Sequence, residues 1–111
     1  QTEKGLTLDS GAFVAALEHA AQTQAFVVGK PEAAFFELAT QGLEYQAHEI
    51  AMVGDDLIND IVGAQKMGYT SFLVKTGKFR GALYEKSKIR PNHLIDNIGS
   101  LRNYILSNNL I

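Results

Sequence analysis

The stretch IAMVGDDLIND, residues 50–60, decides the fold of this 111-residue chain. An apolar run stops at Gly54, three carboxylates follow, and an amphipathic helical pattern begins at Leu57. This succession predicts a buried strand, a tight turn and the N-terminus of a helix, with the carboxylates at the turn. Carboxylates at the C-terminal end of a strand suit a hard cation such as Mg²⁺, and open α/β sheets bind ligands at that same end.

Helical and strand-like patterns alternate on both sides of this stretch. Such alternation is typical of βαβ units, so we predict an α/β fold with a mostly parallel sheet and right-handed crossovers. Residues 1–7 show no periodicity and are predicted to be frayed. The predicted elements are a helix over 11–22, a strand over 24–28, a helix opened by Pro31 and Glu32 with Gly42 as its cap, a strand over 50–53, a helix from Leu57 to Gly68, a strand over 70–74, a loop over 75–88 with a short helix near 82–86, a strand over 93–95, and a last helix capped by Asp96 or Asn97.

The composition is that of one ordinary globular domain, with 46% apolar and 20% charged residues. A net charge of −2 provides no basic surface for nucleic acid or for acidic membranes. No apolar run approaches the ~20 residues that span a bilayer, and the first ten residues lack the apolar core of a signal peptide. The absence of cysteine excludes disulfides and thiolate metal sites. We therefore expect a cytoplasmic protein that binds neither nucleic acid nor membranes.

Three motifs in order resemble the haloacid dehalogenase (HAD) superfamily of phosphohydrolases. They are VVGKP at 27–31 with the aromatic pair at 35–36, VGDDxxxD at 53–60 with GAQ at 63–65, and LVKTGKFR at 73–80. Their combination is similar to the NagD-type branch, in which a large cap is inserted in the middle of the chain. The resemblance implies a three-layer α/β/α Rossmann-like core. It also implies that residues 1–24 are the end of the cap with its return helix and that residues 25–111 are the C-terminal half of the core.

The resemblance also implies a role for each acid and for one lysine. Lys30 would neutralise the nucleophile and the phosphoryl group. Asp55 would bind Mg²⁺ directly, Asp60 would hold it through water, and Asp56 fills a position that is often acidic. Asn59 would support the outer shell. The implied activity is a Mg²⁺-dependent phosphatase acting on a small phosphorylated metabolite through an aspartyl-phosphate.

Two family motifs are missing from this sequence. The nucleophile of the family lies in an Asp-x-Asp motif, but no two of the five aspartates (Asp9, Asp55, Asp56, Asp60 and Asp96) are separated by a single residue. The Ser/Thr motif that holds the phosphate is missing as well. We therefore expect a C-terminal fragment that is inactive alone. Without the nucleophile strand, strand 50–53 would expose an apolar edge, which favours self-association or pairing with the N-terminal half.

Simpler interpretations of the same residues stay open. Carboxylates at a helix N-terminus stabilise it by roughly 0.3–1 kcal/mol each without any metal. Lys30 could be a solvated lysine before a helix, and the whole chain could be a non-catalytic HAD-like binding or assembly module. An EF-hand is excluded because apolar residues occupy its ligand positions. The loop around Gly77 and Lys78 lacks the P-loop pattern and is predicted to face solvent beside the site.

Overall fold

The computed structural model describes residues 10–110, and a three-stranded parallel sheet lies at its centre. The strands are β1 (Ala51–Gly54), β2 (Thr70–Val74) and β3 (His93–Ile95), and they lie side by side in that order. Val53 of β1 lies opposite Phe72 of β2, and Phe72 lies opposite His93 of β3. These strands and their parallel arrangement confirm the predicted fold class.

Among the described residues, five α-helices and two short 3₁₀ turns connect and flank the strands. Gly68 ends α3 in the left-handed conformation, with φ +79°, as its sequence position predicts. Within residues 10–110, no helix combines the length and the apolar character that crossing a membrane requires. The helices are α1 (Ser10–Ala21), α2 (Ala33–Ala39), α3 (Gly63–Met67), α4 (Gly81–Lys86) and α5 (Leu101–Ser107); a π-helical segment, Leu57–Val62, leads directly into α3, and the 3₁₀ turns are Ala47–Glu49 and Ile98–Ser100.

Helices cover both faces of the sheet. Successive side chains of a strand point to opposite faces, so Phe72 and Leu73 of the central strand face different layers. Leu73 packs on Leu57 and Ile61 of the π-helical segment. Phe72 stacks on His93 and meets Tyr104 of α5 edge to face, with ring centroids 6.3 Å apart. The two faces together form the layered α/β/α arrangement.

The prediction of a strand over residues 24–28 is wrong. The segment has no regular secondary structure and joins no sheet in the part of the chain that the structure describes, and Phe26 is 81% exposed. Its apolar, β-branched composition favours a strand, but a strand forms only when a neighbour completes the hydrogen-bond ladder. The composition alone is therefore an insufficient signal for a strand.

The start of α2 also differs from the prediction. Glu32 is the residue that precedes the helix and Ala33 is its first residue, so Pro31 lies outside it. The helix ends at Thr40, whose hydroxyl donates to the carbonyl of Phe36, and Gly42 adopts its left-handed conformation just beyond that end. The predicted frayed start, residues 1–7, lies outside the described residues.

We expect Leu73→Ala to destabilise the fold strongly. Leu73 is fully buried, and removing three buried carbons leaves a cavity, which costs about 2–5 kcal/mol. Urea unfolding followed by circular dichroism measures this change in the free energy of unfolding. Leu38→Ala is the matched control because Leu38 is 58% exposed and should change the stability by less than about 0.5 kcal/mol. Equal losses for the two variants would contradict the assignment of the core.

Candidate functional site

The candidate site lies at the C-terminal end of β1, where Gly54 is followed by Asp55 and Asp56. The π-helical segment then turns Asp60 back over the strand end, and Oδ2 of Asp60 accepts a hydrogen bond from the backbone N–H of Asp56 at 3.1 Å. A Cβ at position 54 would overlap the Asp60 carboxylate. Glycine at this position therefore makes room for an acid that would otherwise be displaced from the strand end.

Lys30 is the cation of the site. Its Nζ lies 2.5 Å from Oδ1 of Asp60, although the two residues are 30 positions apart in the sequence. The Asp60 side chain is 3% exposed and that of Lys30 is 35% exposed. An isolated carboxylate this deeply buried would be costly, so the ion pair both neutralises Asp60 and fixes the ammonium of Lys30. Lys30 also lies 5.7 Å from the ring centroid of Phe35.

A close contact between two helices brings Lys30 to this position. Gly63 opens α3, and a Cβ there would overlap the ring of Phe36 and press on the carbonyl oxygen of Pro31. The absence of a side chain at Gly63 lets α2 and the segment before it approach α3 closely. Lys30 directly precedes Pro31, so the same contact places its side chain beside Asp60.

Asp56 acts as the N-cap of the helical segment. Its Oδ1 accepts hydrogen bonds from the backbone N–H groups of Ile58 and Asn59, and its Oδ2 accepts one from the side-chain amide of Asn59 at 2.8 Å. Burial, the largest single influence, raises the pKa of the Asp56 carboxyl. The hydrogen bonds from Asn59 and Ile58 and the charge of Lys78 together outweigh burial, so the pKa lies below its ordinary value of 3.8. Helix capping thus accounts for Asp56, and Asn59 supports Asp56.

Asp55 is hydrogen-bonded to the loop that follows the neighbouring strand. Its Oδ2 accepts a hydrogen bond from the backbone N–H of Lys78, 2.8 Å away, in the loop that follows β2. Gly77 precedes Lys78 with φ +53°, and a Cβ at Gly77 would overlap Oδ2 of Asp55. The sequence predicted that this loop borders the site but did not predict the hydrogen bond to Asp55. A glycine in a positive-φ turn after a strand was the available signal.

A pocket of roughly 410 Å³ opens next to Asp55. Its wall combines acids, two basic residues and an aromatic pair whose ring centroids lie 5.9 Å apart. Lys78 is 73% exposed, and its Nζ lies 3.8 Å from Oδ2 of Asp56. The pocket therefore offers charged groups of both signs at the strand end. Its wall is formed by Asp55, Asp56, Leu57, Asn59, Lys78, Phe79, Arg80, Leu83 and Tyr84.

Of the three acids, Asp55 is suited to be one ligand of a Mg²⁺ site. The three together do not form a complete site. Both oxygens of Asp56 and both oxygens of Asp60 accept hydrogen bonds or an ion pair, whereas Oδ1 of Asp55 has no such partner among residues 10–110. In the same part of the chain, no three acidic or imidazole side chains converge on a common point. Mg²⁺ is commonly bound by one or two carboxylates together with water and substrate phosphate, a role that Asp55 could fill. The metal-ligand assignments of Asp55, Asp56 and Asp60 stay predictions.

Comparison with known proteins points to one family. The HAD-hydrolase-like family model matches residues 27–101. The phospholysine phosphohistidine inorganic pyrophosphate phosphatase of Danio rerio is 41% identical over 104 residues, which are 94% of this chain and 38% of that protein. The haloacid dehalogenase-like hydrolase domain-containing protein 2 of Bos taurus is 49% identical over 87 residues, 78% of this chain and 33% of that protein.

A solved structure agrees with these two relatives. NagD from E. coli K-12 superimposes with a TM-score of 0.68 at 27% identity, covering 77% of this chain and 34% of NagD. The resemblance to the NagD-type branch is thereby confirmed. The chain spans less than two-fifths of the length of the curated relatives it matches.

We expect the stability contribution of Asp56 to depend on pH. Because its pKa is lower in the folded state than the ordinary 3.8, the contribution is fully present above that value. It is lost as the pH falls from there through the pKa of the folded state. Asp56→Ala should therefore cost about 1 kcal/mol at pH 7, and the difference from the wild type should shrink below pH 3.8.

Urea unfolding at several pH values between 7 and 3 measures this difference. Asp96→Ala is the control, since it removes an acid that is 80% exposed and lies 3.6 Å from Lys75. Its difference from the wild type should stay small across the whole range. A gap between the wild type and Asp56→Ala that widens towards pH 3 would show the opposite sign and contradict this interpretation.

Proposed function

The chain belongs to the HAD-like hydrolase family, and from this we propose that it supplies the lysine and the metal-binding carboxylate of a Mg²⁺-dependent phosphatase. One observation carries the proposal. The Lys30–Asp60 ion pair lies at the C-terminal end of a parallel strand, and Asp55 directly follows that strand in the sequence. A phosphoryl-transfer site needs fixed positive charge and positioned metal ligands at one place, and these residues meet both needs.

Lys30 supplies the fixed positive charge. Phosphoryl transfer is catalysed mainly by positioning and by stabilising charge that spreads over the phosphoryl oxygens. The ammonium of Lys30 is held by Asp60 in advance, so it needs little reorganisation when a phosphate arrives. Its side chain is 35% exposed, which leaves it accessible to a substrate at the strand end.

Asp55 would be the carboxylate ligand of Mg²⁺. Bound Mg²⁺ supplies positive charge that polarises a phosphoryl oxygen and orients the group for attack. Asp60 would contribute through its hold on Lys30, and through water if it also reaches the ion. Asp56 and Asn59 keep the helix N-terminus in place behind Asp55.

The nucleophile must come from outside these 111 residues. The sequence contains no Asp-x-Asp motif, so the aspartyl-phosphate that we propose forms on an aspartate of another polypeptide segment. In this proposal residues 25–111 are the C-terminal half of the core and residues 1–24 are the end of a cap. Of that division, residues 1–9 lie outside the described residues.

The surface of the chain supports association with a second segment. A folded monomer of 12.1 kDa exposes about 6,000 Å² of surface. This chain exposes 8341 Å². The difference exceeds the roughly 800 Å² that each partner buries in an interface of standard size. We propose that a partner covers part of this surface, either the nucleophile-bearing half or a second copy of the chain.

The exposed apolar groups show where this partner would bind. The outer edge of β1 pairs with no strand among residues 10–110. In the segment before α2, which has no regular secondary structure, Phe26, Val27 and Val28 are 81%, 52% and 42% exposed. No residue of α1 is buried, and its Phe13 and Leu17 are more than 60% exposed. An unpaired strand edge is suited to accept another strand, and exposed apolar side chains are suited to be covered by a partner.

The absence of the nucleophile motif also favours a second candidate. A HAD-like module that binds or assembles without catalysis would keep the same ion pair and the same capping contacts. Reconstitution with a nucleophile-bearing segment separates the two functions. For the first candidate we propose a small phosphorylated metabolite as the substrate and a cytoplasmic location.

We expect the 111-residue chain to self-associate when it is produced alone. Light scattering coupled to size exclusion should give at least twice the single-chain mass of 12.1 kDa, because the β1 edge and the exposed apolar side chains would otherwise stay in water. Val27→Lys, on the exposed segment, should shift the mass towards the monomer. Val14→Lys, at a position on α1 that is 37% exposed, reports whether α1 contributes. A clean monomer of the wild type at high concentration would contradict the association.

We expect no hydrolysis of p-nitrophenyl phosphate by the chain alone in the presence of Mg²⁺. Activity should appear when the chain is mixed with the part of the Danio rerio relative that lies outside the matched region, provided that light scattering shows a complex. In that complex Lys30→Ala should lower kcat by about 10²–10³-fold, the usual effect of removing one preorganised charge-stabilising group. Lys66→Ala, which removes an exposed lysine of α3, should leave kcat unchanged.

Two outcomes would contradict the proposal that this chain supplies one part of a phosphatase site and another segment supplies the nucleophile. Turnover by the wild-type chain alone would show that it carries its own nucleophile. A stable complex without turnover would favour the non-catalytic module.

A further inference from the structure

We propose that the turn formed by Gly77 and Lys78 positions the Asp55 carboxylate, so that one oxygen is anchored and the other is left for a metal ion. This inference rests on the proposed function, because it concerns the carboxylate that would bind Mg²⁺. Gly77 and Lys78 would be positioning residues, which act on the metal through Asp55. The loop had been predicted only to border the site.

The parallel sheet brings this turn to Asp55. β1 and β2 lie side by side, with Gly54 opposite Leu73, so the segments that follow both strands leave the same edge of the sheet. Asp55 directly follows β1, and the loop after β2 returns Lys78 to it. The backbone N–H of Lys78 donates to Oδ2 of Asp55 at 2.8 Å. A hydrogen bond to a carboxylate is charge-assisted and therefore stronger than one between neutral groups.

The turn is closed by contacts of its own. The N–H of Phe79 donates to the carbonyl of Thr76 at 2.9 Å. The guanidinium of Arg80 donates through one nitrogen to the carbonyls of Gly77 and Phe79, at 3.0 and 2.8 Å. These three bonds hold the N–H of Lys78 in one direction without help from the Lys78 side chain.

Gly77 makes the contact possible in two ways. Its φ of +53° is a conformation that residues with a side chain rarely adopt. Its missing Cβ also leaves the space that Oδ2 of Asp55 occupies. Any side chain at position 77 would push the Asp55 carboxylate away from the N–H of Lys78. Gly42 shares the positive φ, at +85°, but a Cβ there would meet nothing within 4 Å.

The effect on metal binding follows from the strict coordination geometry of Mg²⁺. The ion demands near-ideal octahedral geometry with short bonds to oxygen, so a displaced carboxylate loses affinity steeply. Anchoring Oδ2 fixes the direction in which Oδ1 can be offered to the ion. One carboxylate oriented in this way can contribute usefully even when the remaining ligands are water and phosphate.

The test compares Gly77 with Gly42, because both glycines have a positive φ. Mg²⁺ is titrated into the ¹⁵N-labelled 111-residue chain, and the dissociation constant is taken from the shifts of the backbone amides around Asp55. Gly77→Ala should weaken Mg²⁺ binding at least tenfold, whereas Gly42→Ala should stay within twofold of the wild type. Thermal unfolding should show similar losses of Tm for both variants, since both place Ala at a positive φ. A tenfold loss in both variants would overturn the assignment.

A second pair of variants guards against misfolding of Gly77→Ala. Asn tolerates a positive φ better than Ala but carries the same Cβ. Gly77→Asn should therefore fold and still bind Mg²⁺ at least tenfold more weakly than Gly42→Asn. Equal affinities in this pair would overturn the positioning role.

A metal-free measurement separates this inference from the proposed function. In the absence of Mg²⁺, Asp55→Asn should move the amide proton resonance of Lys78 upfield, because the charged acceptor is lost, while Asp96→Asn should not. An unmoved Lys78 resonance would overturn the inference. If the Lys78 resonance moves but Mg²⁺ shifts no amide of the wild type, the metal part of the proposed function fails and the metal role of the turn fails with it. Mg²⁺ binding that Asp55→Asn abolishes and Gly77→Ala leaves unchanged would overturn the inference alone.

Discussion

The buried ion pair between Lys30 and Asp60 is the constraint on which the site depends. Asp60 is 2% exposed, and a carboxylate at that depth persists only when a partner offsets its lost hydration. The partner comes from a segment 30 residues earlier in the chain, so the pair joins the segment before α2 to the π-helical segment after β1. Gly54 provides the space for Asp60, and Gly63 lets α2 approach. The absence of side chains at Gly54 and Gly63, together with the ion pair, thus fixes the position of the Lys30 ammonium at the end of the sheet.

The same constraint divides three neighbouring acids into three roles. Asp60 is neutralised by Lys30, Asp56 is occupied by the helix N-terminus, and Asp55 keeps one oxygen without a hydrogen-bond partner among residues 10–110. A cluster of carboxylates in a sequence is therefore not yet a shared site, because backbone donors and a lysine can engage most of the oxygens. The acid with the fewest internal partners is the one best suited to an external cation. The division also limits the repulsion that three adjacent negative charges would otherwise cause.

Local signals predicted most of the fold and part of the site. The β-branched and aromatic run of β2 and the glycine at position 68 specify a strand and a helix end without reference to the rest of the chain. The Lys30–Asp60 contact is different, because no periodicity links residues 30 apart, and only the family resemblance placed both at one site. Neither the local sequence signals nor the family resemblance predicted the hydrogen bond from Lys78 to Asp55. It is made by the backbone, whose direction depends on the left-handed turn at Gly77 and not on the identity of the donor residue.

The error at residues 24–28 and the large exposed surface have the same physical cause. Strand propensity describes side chains that fit a pleated, half-buried surface, and that surface exists only where a neighbouring strand and a covering layer are present. Phe26, Val27 and Val28 have the composition of a buried strand, yet each is more than two-fifths exposed. The outer edge of β1 is likewise unpaired among the described residues. Both features leave groups exposed that a neighbouring strand would cover: the apolar side chains of Phe26, Val27 and Val28, and the backbone groups along the outer edge of β1. A parallel strand added at the edge of β1 would hydrogen-bond to β1 and bring its own C-terminal end to the edge of the sheet where Asp55 lies. An element that depends on a partner strand is therefore one that local rules cannot predict.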